Sequence, residues 1–230
     1  MTAAVRPIAY RPLREKENAA NRVYDGIKGR LLDGEFRAGD RIAIEAIATE
    51  FDVSRFPVMD AVKRLSVEGF VTIVPQVGCR VASYSEFEAE DFFRVSIAVG
   101  SMLAELAAKR RTSEQLLALD DVAQEIRSVV RRRATGHSLP RAYRLLNRQF
   151  HLIVHDMANS RLTANLAESM MDRLDFMTNT MSLFLAFPKS LEERYKELEH
   201  LRRALVAGNA AEARQAYETQ LSRTKLRVSR

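Results

Sequence analysis

One cysteine in 230 residues, Cys79, excludes an intramolecular disulfide framework and suits a reducing compartment. No apolar run nears the roughly 18 residues that span a bilayer. The opening residues also lack the apolar core of a secretory signal, because Arg6, Pro7, Arg11 and Pro12 lead into polar sequence. A cytoplasmic protein with no membrane partner is the expectation. Internal repeats and low-complexity segments are missing as well. So are a phosphate-cradling glycine loop, a nucleophile elbow and the paired-histidine spacing of metalloproteases. Several enzyme classes fall with them.

What is present is an ordinary globular composition with a basic balance. Apolar residues make up 47% of the chain, which excludes extended disorder as the default. The net charge of +6 and a pI near 9.7 favour a polyanionic partner. The densest basic run, Arg131-Arg132-Arg133 after Arg127, reads as a solvated helix end, where cations suit the helix dipole. The nucleic-acid signal must come from local pattern instead.

Residues 1–17, rich in proline and arginine, read as a flexible arm. Val23, Ile27 and Leu31 then repeat at four-residue spacing and predict a helix over about Asn18 to Leu32. Asp33-Gly34 and Ala38-Gly39-Asp40 mark turns. Ile44, Ile47, Ala48 and Phe51 support a short second helix, broken at Asp52-Val53. Ser54 is placed to N-cap a third helix, with Pro57 in its first turn and Val58, Val62 and Leu65 on its buried face. Two short helices about three residues apart have the layout of a helix-turn-helix. A β-rich run from Gly69 to Pro75, a turn through Gln76 and Gly78, and a return strand from Val81 predict a hairpin wing. Residues 18–83 are thus read as a winged helix-turn-helix of three helices plus a β-hairpin. Its second motif helix would enter a major groove while the wing lies along the neighbouring backbone.

Val23-Tyr-Asp-Gly-Ile-Lys, Ala38-Gly-Asp-Arg, Val53-Ser-Arg-Phe-Pro-Val-Met-Asp-Ala-Val-Lys-Arg-Leu and Glu68-Gly-Phe together resemble the GntR family winged-helix signature. The resemblance implies operator DNA as partner, with Arg55 and Arg64 at the family's basic positions. Ser54 and Lys63 lie beside them, and Gln76, Gly78 and Arg80 are the wing candidates. For Arg64 the alternative is a surface ion pair with Asp60 or Glu68. Two departures stand out: Glu45 and Met59 occupy positions where the family usually carries arginine. Their absence removes two charge-assisted anchors.

Beyond Ser83 the pattern is helical, and residues 84–230 are read as an all-α antiparallel bundle. Ser85 and Glu88 form a capping box for a helix to about Lys109. Further helices are expected over Ser113–Arg133, Pro140–Met157, Asn159–Phe184, Ser190–Ala207 and Ala210–Arg227. Phe92-Phe-Arg-Val-Ser, Leu106-Ala-Ala, Phe150-His151, Ala158-Asn-Ser-Arg-Leu and Ala204-Leu-Val-Ala-Gly-Asn resemble the FCD effector domain of the FadR subfamily.

That resemblance implies a small organic acid as effector, often bound through a metal held by one carboxylate and three histidines. An acid four residues before a histidine puts both on one helix face. Here Asn147 stands at the carboxylate position, His151 matches the first histidine, and Leu198 and Gln220 replace the other two. His200 is two residues from Leu198, about 200° around the helix, and does not substitute. Asn147, His151 and His155 do form an i, i+4, i+8 stripe. A neutral amide with two imidazoles is nonetheless a poor donor set for a divalent ion, so no cofactor is expected. The plainer alternative for His151 is a hydrogen-bonded core histidine.

The family's Glu, Arg and Glu on the first bundle helix become Arg94, Ser96 and Gly100, which removes a carboxylate clamp. The candidate effector residues are therefore Arg94, Arg144, Asn147, His151 and Gln220. Met170, Met171, Phe176, Met177, Met181, Phe184 and Phe187 read as core or dimer contacts, or as the lining of a more apolar pocket.

The function implied is a homodimeric transcription regulator, a repressor controlled by a small metabolite. One alternative is a constitutive regulator with a purely structural dimerising bundle. A remote one is an all-α metal-dependent enzyme using His151 and His155, against which no acid on their stripe orients either ring; Asp156 points elsewhere on the helix.

Overall fold

The computed structural model describes residues 14–132, 141–180, 183–186, 190–222 and 225–228. Helices dominate, and the chain divides into two compact units, one ending at Ser83 and the next beginning at Tyr84. Among the described residues no helix is long and apolar enough to cross a membrane.

The first unit is ordered α1 (Arg14–Leu32), β1 (Arg41–Ile42), α2 (Ile44–Glu50), α3 (Arg55–Val67), β2 (Val71–Val74) and β3 (Gly78–Val81). Helix α1 starts four residues before the expected position, so residues 14–17 open the helix rather than end an arm; residues 1–13 lie outside the described residues. Val23, Ile27 and Leu31 of α1 are fully buried, as are Val58, Val62 and Leu65 of α3. A polar contact fixes the same pair of helices. Tyr24 donates to Glu68 at 2.6 Å, and Lys28 reaches both the Tyr24 hydroxyl and the Glu68 carboxylate. The wing holds three strands rather than two, because β1 pairs antiparallel with β3 on the side opposite β2. A two-residue strand is too short to leave a periodic signature.

The second unit contains α4 (Glu86–Arg110), α5 (Ser113–Arg131), α6 (Arg141–Met157), α7 (Arg161–Thr180), β4 (Leu183–Ala186), α8 (Leu191–Ala207), α9 (Ala210–Ser222) and β5 (Lys225–Val228). Capping boxes open three of the helices: Ser85 with Glu88, Thr112 with Gln115, and Ser190 with Glu193. Phe150, Val154, Leu119, Ile126, Leu198 and Leu205 form one fully buried core between them. Arginines tie helix ends together, as Arg110 donates to the carbonyl of Ala158 and Arg111 to that of Val206.

The bundle is helical, as expected, apart from one short strand pair. Helix α7 stops at Thr180 instead of Phe184, α9 stops at Ser222 instead of Arg227, and β4 pairs antiparallel with β5. The physical reason is visible in the residues. Leu183-Phe-Leu-Ala is a short continuous apolar run and Lys225-Leu-Arg-Val alternates, patterns that suit paired strands better than a helix face.

Candidate nucleic-acid interface and effector cavity

Helix α2 ends through Asp52, which takes a left-handed backbone (φ 50°) and turns the chain toward α3. Ser54 occupies the N-cap position of α3 with extended geometry, yet its side chain caps nothing. The third residue of the helix is Pro57, which has no N–H to donate. The Ser54 hydroxyl therefore stays exposed at the start of α3.

Helix α3 buries Pro57, Val58, Ala61, Val62 and Leu65 and leaves Arg55, Phe56, Asp60 and Lys63 exposed. Arg55 Nη1 lies 3.4 Å from Glu45 Oε1 of α2, with both side chains about three-quarters exposed. Phe56, beside it, is 76% exposed. Sequence reasoning did not single it out.

Among the described residues Arg64 does not form the alternative ion pair with Asp60 or Glu68. Its Nη1 donates to Asn21 at 2.7 Å, and its guanidinium stacks over the Tyr24 ring at 4.0 Å. Glu68 is already engaged by Tyr24 and Lys28.

The wing turns through Pro75, Gln76 and Val77, with Gln76 at φ 62° and Gly78 at φ 116°. An L side chain at Gly78 would be strained there whatever the space around it. Gln76, Gly78 and Arg80 are all exposed. The β-pairing sets Arg41 directly opposite Arg80, and Thr72 opposite Arg80 on the other side. Like charges facing each other across strands repel. Arg80 donates to the carbonyl of Gly39 at 2.9 Å, and among the described residues no carboxylate pairs with either arginine. Arg41 escaped sequence reasoning because its place opposite Arg80 depends on strand register.

In the second unit the histidine stripe faces the core. His151 and His155 are 4% and 2% exposed. Among the described residues neither ring nitrogen of His151 has a hydrogen-bond partner, nor does His155 Nδ1. His155 Nε2 lies 3.3 Å from the Tyr217 hydroxyl of α9, whose ring packs edge-on against His151 at 5.2 Å. Burial pushes His151 down to about 3, with neighbouring His155 adding to the effect. Burial pushes His155 down to about 4, and the charge of Arg148 contributes. Arg148 is itself held by Asp172 and Asp175 of α7.

A cavity of about 20 Å³ lies among α4, α6, α7 and α9, with Gly100, His155, Met170, Met171 and Tyr217 in its walls. Gln220 is half-buried with its Oε1 unpartnered among the described residues, and Asn147 is half-buried. Arg94 and Arg144 are exposed and do not line the cavity. Met170, Phe176 and Met177 are buried, whereas the side chains of Met181, Phe184 and Phe187 lie outside the described residues.

The donor set does not fit a metal. Leu198 is fully buried among apolar core residues, and Asp172 and Asp175 of α7 are committed to Arg148. Among the described residues no group of three or more His, Cys, Asp or Glu side chains could hold an ion.

A helix-turn-helix followed by a three-stranded wing, with a separate helical bundle after it, defines a winged-helix regulator. Residues 19–81 match the GntR family of bacterial regulatory proteins and residues 91–223 match the FCD domain, so the chain belongs to the FCD-bearing GntR family of DNA-binding transcription regulators. It is 25% identical to the HTH-type transcriptional regulator LutR of Bacillus subtilis over 204 residues, 81% of this chain and 90% of LutR. It is 24% identical to the uncharacterized HTH-type transcriptional regulator YdhC of the same organism over 153 residues, 66% of each. Among solved structures, Escherichia coli McbR/YncC superposes with a TM-score of 0.71 at 18% identity, covering 89% of this chain and 93% of that one. A GntR regulator from Rhodococcus sp. RHA1 gives 0.67 at 19% identity, covering 89% and 94%. The family and these relatives regulate transcription, and the enzyme alternative falls.

Proposed function

We propose that the chain is a homodimeric repressor whose DNA affinity is set by a small molecule bound in its FCD domain. The observation that carries the reading is the exposed surface of the first unit. The start of α3 offers Ser54, Arg55 and Phe56, Lys63 follows one face further on, and the wing offers Gln76, Gly78 and the opposed Arg41 and Arg80. In this reading α3 enters the major groove, Arg55 and Lys63 meet base edges or phosphates, and the wing arginines neutralise backbone phosphates. Arg64, bound to Asn21 and Tyr24, chiefly shapes the α1–α3 surface. Residues 18–83 would act as the DNA-binding domain and 84–230 as the effector-binding and dimerisation domain in the cytoplasm. An effector that weakens operator binding must itself bind the DNA complex less well.

Selection of binding sites from random-sequence DNA by the purified protein tests this. A dimer predicts enriched inverted repeats with half-sites about one helical turn apart or a multiple of it. Enrichment of single sites contradicts the dimeric arrangement, and no enrichment at all contradicts the operator reading.

A further inference from the structure

The FCD cavity has a feature that its size alone conceals. Tyr217 lies over the backbone of Gly100, and a methyl group at position 100 would collide with the Tyr217 hydroxyl and ring. Glycine there creates the notch, and the phenol of α9 fills it. At about 20 Å³ the remaining space holds roughly one water molecule.

The walls carry no charge. Met170 and Met171 present adaptable apolar surface, and the Ser96 hydroxyl is already given to the carbonyl of Phe92. What the site offers beyond apolar contact is hydrogen bonding from neutral groups. His155 in the wall keeps an unpartnered Nδ1, and its Nε2 meets the phenol hydroxyl. His151 behind the phenol is wholly buried with both ring nitrogens unpartnered among the described residues. Leaving buried polar groups unsatisfied is costly, by an amount that a hydrogen-bonding ligand would recover. A carboxylate entering the same place would be desolvated with no cation in the walls to meet it.

We propose that Tyr217 is a removable stopper in the Gly100 notch, and that the effector displacing it is an uncharged, mainly apolar molecule bearing one or two hydrogen-bonding groups for His151 and His155. The proposal rests on the reading of the FCD domain as the effector site. It assigns that site a ligand class: neutral and ring-sized, with neither a metal nor an organic acid required.

The test uses the full-length Tyr217→Ala protein with p-cresol, which replaces the severed side chain as a neutral molecule. The comparison compound is 4-hydroxybenzoate, with and without Zn²⁺, which adds a carboxylate to the same ring. Melting temperature reports occupancy, and fluorescence anisotropy on a self-selected operator reports the consequence for DNA. Saturable stabilisation by p-cresol, no stabilisation by 4-hydroxybenzoate, and a change of operator affinity of about fivefold or more are expected. The intact chain carrying Gly100→Ala, which expels the ring without emptying the core, is expected to shift operator affinity in the same direction as Tyr217→Ala.

Stabilisation by 4-hydroxybenzoate with Zn²⁺ overturns the ligand class. Stabilisation by p-cresol with operator affinity unchanged in both variants overturns the stopper and leaves a merely structural bundle. Failure of the unsubstituted protein to select any operator counts against the regulator reading, whereas the melting shifts still report on the cavity.

Discussion

Arg55 at the first position of α3 is held 3.4 Å from Glu45 of α2, although both side chains stand mostly in solvent. An exposed pair of this kind contributes about 0–1 kcal/mol to stability. If α3 enters the groove as proposed, its effect on DNA is larger, because the Glu45 carboxylate both occupies the guanidinium and repels phosphate. Glu45→Gln is therefore expected to tighten operator binding by roughly tenfold, about the 1.4 kcal/mol of one freed charge-assisted contact, with unchanged unfolding stability. Anisotropy titrations at several salt concentrations check it. Equal or weaker binding by the variant would mean that Glu45 itself makes a favourable contact.

Arg41 and Arg80 oppose each other across β1 and β3, and among the described residues no carboxylate pairs with either. Substituting either with alanine is expected to weaken binding evenly across DNA sequences and to lower the salt slope by about one. Folding stability should stay level or rise slightly, since a repulsion is removed. Altered sequence preference with an unchanged salt slope would contradict a phosphate role.

Ser54 offers a test that separates folding from recognition. An N-cap serine replaced by alanine usually costs about 1 kcal/mol. Here the hydroxyl makes no capping hydrogen bond and Pro57 removes one of the two N–H groups it could accept from, so Ser54→Ala should cost less than about 0.5 kcal/mol by urea unfolding. Operator affinity should nevertheless drop. A full capping loss in stability would show that the hydroxyl finds another backbone donor.

His151 and His155 are both neutral in the folded bundle, with values near 3 and 4 against about 6.5 when unfolded. Between those limits the unfolded chain binds more protons, so stability falls as pH falls. Each histidine contributes about 1.4 kcal/mol per pH unit below roughly pH 6, and nothing above about pH 7.5. Urea unfolding at pH 5 and pH 7.5 reads the difference, and His151→Gln should reduce it by about half. A variant with an undiminished pH dependence would place the titration elsewhere.

Much of this was legible from the residues because the signals were local. The four-residue spacing of Val23, Ile27 and Leu31, the Ser85–Glu88 box and the turn at Gly78 each lie within one element, and each has a direct physical consequence. What escaped was non-local. Gly100 and Tyr217 meet across two helices distant in sequence, and nothing near either residue announces the other. Arg41 becomes part of the wing only through pairing of a two-residue strand. Arg64 meets Asn21 and Tyr24 on another helix, partners that no local pattern announces. Ser54 was a cap by type, and the proline three residues on silences it.

The most direct test is operator binding by the purified protein with and without Arg55→Ala, on a self-selected operator and a scrambled duplex at one fixed salt concentration. The account predicts that the substitution costs about 1–3 kcal/mol on the operator and much less on the scrambled duplex. Equal losses on both would reduce Arg55 to a phosphate contact. Unchanged operator binding would contradict the placement of α3 in the groove.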